Sequence, residues 1–214
     1  MMMSLPLTSR WYLGALLLAV TTACADKPTP SPADEQAQHV AEVVAAGGVV
    51  DSILPIAEHL RRFRVGLPVT DTLQHASPSR DALVSRWAAA IAVNDTADLN
   101  AMIMSRAEFA WLYYTDSPMS KPPYEAPPEL LWGQLLASSN KGATQLVSRF
   151  GGSRVTASRL RCPTPPDTQG TNVLYSKCEV RLTAPGKPTV EGSLFGTILE
   201  RAGRFKFVGL STTL

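Results

Sequence analysis

Leu174-Tyr175-Ser176-Lys177-Cys178-Glu179-Val180-Arg181-Leu182 sets apolar Leu174, Cys178, Val180 and Leu182 alternately with Tyr175, Lys177, Glu179 and Arg181. Successive side chains of a strand point to opposite faces, so this period of two reads as one half-buried strand. Val190 to Leu199 and Phe205 to Leu210 are two further strand-like runs. They are joined by Glu200-Arg201-Ala202-Gly203-Arg204, a hairpin loop with its glycine in place. Arg154 to Arg161 is a less regular fourth run.

Upstream the period lengthens to that of a helix. Ala37 to Ala46 reads as a short helix ended by Gly47-Gly48, and Ile53, Ile56, Leu60 and Phe63 form an apolar stripe stopped by Gly66 and Pro68. Ser79 is placed to cap a helix with Leu83, Trp87, Ala90 and Ile91 on one face. Asn94-Asp95-Thr96 interrupts it, a short helix runs through Leu99, and Met102-Ile103-Met104 reads as a short buried strand. Arg106 to Tyr114 reads as helix and Ser117 to Pro128 as a loop with five prolines. Leu130 to Phe150 resumes as helix, bent around Asn140-Lys141-Gly142 and ended by Gly151-Gly152. Helices first and a strand meander after predict an α+β fold, with the helices on one face of an antiparallel sheet.

The order of these elements, the break at Asn94-Asp95-Thr96-Ala97-Asp98-Leu99 and the last strand Gly203-Arg204-Phe205-Lys206-Phe207-Val208-Gly209 resemble the nuclear-transport-factor-2-like cone fold. Arg106-Ala107-Glu108-Phe109-Ala110-Trp111-Leu112-Tyr113-Tyr114 and Leu194-Phe195-Gly196 resemble bacterial lipoproteins that carry such a domain. The resemblance covers residues 79–214 and leaves 37–78 as a helical extension. It implies a curved sheet, a cone-like shape and a pocket between sheet and helices, on a scaffold that hosts isomerases, cyclases, dehydratases and plain binders alike.

The N-terminus carries a separate message. Trp11 to Ala25 holds no charge and follows a lone Arg10. A helix of that length rises about 22 Å, short of the ~30 Å hydrocarbon core, which suits the apolar region of a signal peptide over residues 1–23. Val20-Thr21-Thr22-Ala23-Cys24 resembles the lipobox of bacterial lipoproteins, with Thr21 where leucine is usual. Lipidation of Cys24 would tether the chain at about 0.8 kcal/mol per buried methylene. Cleavage after Ala23-Cys24-Ala25 by an ordinary signal peptidase is the competing reading. Residues 24–36, rich in proline, read as the tether, and Ala25 after the cysteine implies sorting to the outer membrane. Of three cysteines, lipidating Cys24 leaves Cys162 and Cys178 as a pair for an oxidising compartment. A disulfide across the intervening loop would contribute about 3 kcal/mol in the chain-entropy treatment.

The chain has 214 residues, 45% of them hydrophobic, with 20 basic against 18 acidic side chains. Only Arg10 precedes Cys24, so the mature charge stays near neutral, which excludes an electrostatic nucleic-acid footprint. Arg61-Arg62 and Arg64 read as a solvated helix face. His39, His59 and His75 lack the spacing of metal ligands, and neither a metal nor a cofactor is expected. No nucleophile elbow, phosphate loop or calcium loop occurs.

Two residues are candidates for a general base. His59 lies on a helix beside Arg61 and Arg62. Glu108, flanked by Arg106 and Trp111, is suggested because steroid-isomerase-like members of the resembling family use a pocket carboxylate; a helix-surface ion pair accounts for it equally. The most unusual feature is aromatic. Phe109, Trp111, Tyr113 and Tyr114 fall within six residues, with Tyr124 and Trp132 around the proline loop. Either they fill the core, with Tyr113 or Tyr114 under that loop, or Trp111, Tyr113, Tyr114 and Trp132 line a pocket for an apolar ligand. Three functions are therefore open: a lipid-anchored binder of an apolar ligand or envelope partner, a small isomerase or hydrolase, and a pocketless envelope-structural protein.

Overall fold

The computed structural model describes residues 31–48 and 54–212; the readings on the leader and on Cys24 lie outside the described residues. Contacts divide the chain into two units, Met1–Ser52 and Ile53–Leu214. In the first, α1 (Pro32–Ala45) begins inside the stretch read as tether. Ser31 and Asp34 cap it reciprocally, and proline at the first helical position has no N–H to waste.

The second unit contains α2 (Ile56–Phe63), α3 (Arg80–Ala92), α4 (Thr96–Met102), α5 (Arg106–Glu108), a π-helical turn (Phe109–Tyr113) and α6 (Pro128–Phe150). The strands follow: β1 (Thr156–Arg161), β2 (Asp167–Gln169), β3 (Asn172–Tyr175), β4 (Glu179–Thr183), β5 (Val190–Gly192), β6 (Ile198–Arg201) and β7 (Arg204–Phe207). The fold is α+β, as the periodicities predict. The Ser79 hydroxyl accepts the Ala82 N–H at 3.1 Å and starts α3 where expected. Ala202 and Gly203, both at positive φ, turn the β6–β7 hairpin. α6 runs unbroken through Gly142, where the sequence suggested a bend. There a Cβ would fall 1.5 Å from the Leu210 carbonyl oxygen, so the glycine serves close approach. No helix among the described residues is long and apolar enough to cross a membrane.

The sheet departs from the reading in two ways. The run Leu174–Leu182 is not one strand: it breaks at Ser176–Cys178, where Lys177 takes φ 54°. Val190–Leu199 breaks likewise, so one long ribbon contributes its ends to two antiparallel sheets, β1-β4-β5 and β2-β3-β6-β7. Register shifts by one residue across the break, and the Ser176 and Thr197 hydroxyls meet there at 3.3 Å. Between Cys162 and Cys178 lies the β2–β3 hairpin, not a plain loop. The two cysteines form the expected disulfide, beside the Arg161–Glu179 rung of β1 and β4.

The β3-β6-β7 part of the second sheet packs into a core on each face, in place of the single covered face expected, while β2 stays exposed. Ile198 and Phe207 join a core with Trp87, Ile91, Leu146 and Phe150. Their neighbours Leu199 and Val208, with Leu174, face a second core built on Phe63, Phe109 and Tyr114. Each such side chain contributes about 1.5–3 kcal/mol on burial. The space that a cone would leave beneath α3 is filled: Trp87, Phe195 and Phe207 contact one another with ring centroids 4.8–6.4 Å apart. Ser77 and Ile103 bridge to β7, which covers the outer side of that strand; Met102–Met104 thus makes one bridge rather than a strand.

Candidate functional site

The aromatic quartet is resolved by the π-helical turn. The Tyr114 N–H donates to the Phe109 carbonyl, five residues back, at 2.8 Å. This wider turn lets residues four and five positions on both stand against residue 109. Phe109 accordingly touches Tyr113 and Tyr114 at 6.0 and 5.6 Å, Trp132 at 5.5 Å and Phe63 at 5.6 Å. Carbonyls loosened by the turn find distant donors. The Arg64 guanidinium donates to Ala110 O at 2.8 Å and lies 3.9 Å over the Trp111 ring, so Arg64 is no solvated surface charge. Burial holds its pKa below the ordinary arginine value. The buried Asn172 amide donates to Leu112 O at 2.6 Å. Tyr114 is fully buried and its hydroxyl donates to Ala126 O under the proline loop. Burial pushes its phenol up, as it does that of Tyr113.

Glu108 is buried, not on a helix surface. Its oxygens accept the Gln74 N–H at 2.5 Å, the Ser105 N–H at 2.6 Å and the Lys206 ammonium at 2.8 Å. Side-chain exposures of Glu108 and Lys206 are 1% and 2%. Burial lowers the Lys206 pKa against the opposing pull of Glu108. This carboxylate clamps the loop before α3, the start of α5 and β7 together. It also borders a small cleft of 210 Å³ under Pro68–Thr70, with its hydrogen-bonding capacity already engaged. His59 sits on α2 with Nδ1 3.4 Å from Glu129, away from Glu108. The two candidate bases are not brought together.

What the fold does assemble is a groove along α6. Trp132, Leu135, Leu136, Ser139, Asn140, Ala143, Thr144 and Val147 recur at the helical i, i+3, i+4 interval and form one uncharged face spanning about 22 Å. At its first end a cleft of 260 Å³ has buried Met104 and Val208 as floor, with Ile103, Trp132 and Leu135 as half-buried walls. Exposed Asn100, Ser105, Arg106, Leu136 and Asn140 form the rim. A second cleft of 380 Å³ shares Asn100 and Asn140 and continues past Leu99 to Val147. On the other flank of α6, Phe109, Tyr113, Met119, Leu131 and Leu135 line a third cleft of 320 Å³.

Of the expected ligand-binding residues, Trp132 lines the first cleft and Tyr113 the third. Trp111, under Arg64, and Tyr114, in the core, line none of the three. The sequence reading missed Asn100, Ile103, Leu135, Leu136 and Asn140. For Leu135, Leu136 and Asn140 the signal is the stripe itself, since between Glu129 and Lys141 α6 has no charge on any face; Asn100 and Ile103, on and just after α4, carry no such signal. No known protein family, curated protein or solved structure matches this chain.

Proposed function

We propose that this is an exported, lipid-anchored, non-catalytic domain that binds a small apolar-chain ligand along the uncharged face of α6. The observation that carries the binding reading is the continuity of the groove. Two clefts that adjoin at Asn100 and Asn140 have buried apolar residues at their base, Met104 and Val208 in one and Leu99 in the other. These are set among neutral polar side chains and the single charge of Arg106, a mixture of apolar floor and sparse charge that suits a ligand site. Catalysis is disfavoured because Glu108 is engaged as a structural clamp and His59 lies elsewhere. The uncharged run after Arg10, the lipobox-like sequence ending in Cys24 and the Cys162–Cys178 disulfide support export and anchoring.

Titration of the mature protein with decanol, followed by Trp132 fluorescence, tests the binding reading. Saturable change is expected, lost as a signal in Trp132→Phe and lost as binding in Leu136→Asp, which sets a charge on an exposed wall. An unsaturable response, or equal binding by Leu136→Asp, would refute it. Mass spectrometry of the mature N-terminus tests the anchor: an unmodified chain starting at Asp26 would sink it.

A further inference from the structure

Resting on the groove reading, we propose that the ligand is a single-chain carboxylate, seated with its head at Arg106 and its chain along α6 toward Val147. Among the described residues Arg106 is the one charged residue lining the two adjoining clefts. Among the described residues no carboxylate lies within ion-pair distance of it, whereas Arg61, Arg62, Arg86, Arg161 and Arg181 each have one. The acid nearest in sequence, Glu108, is turned to Lys206 and to the backbone of Gln74 and Ser105. Arg106 is held instead by a cation–π contact, its guanidinium carbon 4.4 Å over the ring of buried Phe63. That cation–π contact consumes none of the guanidinium's N–H donors, which remain for an anion, and a guanidinium can grip a carboxylate through two parallel hydrogen bonds. Beyond this end the groove offers only apolar and neutral polar side chains, with no place for a second charge. A ligand with one anionic end and a long uncharged remainder fits that distribution.

The experiment compares decanoate, decanol, decyltrimethylammonium and decyl phosphate, each below its micellar concentration, on the mature wild-type protein and on Arg106→Gln and Arg106→Lys. Decanoate should bind tightest and the cation weakest. Arg106→Gln should weaken decanoate roughly ten- to hundredfold while leaving decanol unchanged, the latter also reporting an intact fold. Arg106→Lys, which keeps the charge and loses the fork, should fall between. Equal affinity for decanoate and decanol, with neither altered in Arg106→Gln, would overturn the carboxylate and leave the groove standing. Tighter binding of decyl phosphate, with the same dependence on Arg106, would replace carboxylate by phosphate. Failure of all four to bind would bring down the groove reading as well.

Discussion

Replacing Lys206 by methionine keeps the apolar stem and removes the ammonium, leaving the Glu108 carboxylate buried with two backbone N–H donors. Both side chains are about fully buried, so solvent cannot replace the lost partner. Breaking a buried pair from one side costs about 3–5 kcal/mol. Glu108→Gln should cost at least as much. One amide oxygen cannot serve both the Gln74 and Ser105 N–H groups, and its NH2 faces an ammonium that has lost its counter-charge. The double variant Glu108→Gln/Lys206→Met removes both charges and leaves about one unpaired backbone N–H, a cost of about 1–3 kcal/mol. Urea unfolding of the four proteins therefore closes a double-mutant cycle with a coupling of about 3 kcal/mol or more. Against a total stability of about 5–15 kcal/mol, each single change should move the midpoint far down. A cost below about 1 kcal/mol for Lys206→Met, or a double variant equal to the sum of the singles, would refute the clamp.

Three further outcomes are expected. Asn172→Leu removes the donor to Leu112 O in the buried backbone of the π turn, and should cost about 1–3 kcal/mol in urea unfolding. Gly142→Val drives a side chain into the Leu210 carbonyl and should cost about 1–3 kcal/mol or more, with a lowered midpoint in thermal unfolding. The Glu58 carboxyl is held at about 2 by hydrogen bonds from Arg61 and then Arg62, against an ordinary 4.5. A depressed acid contributes stability above its unfolded pKa and loses it as pH falls through the folded value. The gap in midpoint between wild type and Glu58→Gln should therefore be constant above pH 4.5 and close toward pH 2, a small effect because the group is exposed.

Much of the scaffold was legible because it rests on local rules. Ser79 caps α3, the stripe Leu83-Trp87-Ile91 is buried, and Ala202-Gly203 turns the last hairpin. Cysteine pairing was legible from parity rather than geometry. The broken ribbon was not: Lys177 adopts a left-handed conformation without being glycine or asparagine, and the alternation Leu174, Cys178, Val180, Leu182 persists through the break. The π turn was equally silent, since its signature is a carbonyl left for a side chain 60 residues away to satisfy. Glu108 was singled out for a reason the structure replaces, because its partner Lys206 lies 98 residues on, in another strand-like run.

These hidden contacts share a place. Arg64, Asn172 and Lys206 each reach from just past α2, from β3 or from β7 to the segment Ser105–Tyr113, and each supplies a polar group that this segment cannot provide for itself. That segment also forms walls on both flanks of α6: Ser105 and Arg106 on one side, Phe109 and Tyr113 on the other. A wall held by two buried hydrogen-bonded contacts and one half-buried one, each from a different part of the fold, is fixed in shape, and preorganisation of this kind lowers the ordering cost of binding. The clamp and the π turn thus fix the walls of the groove, so Lys206→Met and Asn172→Leu should weaken the proposed binding of decanoate, read by the same fluorescence titration, along with stability.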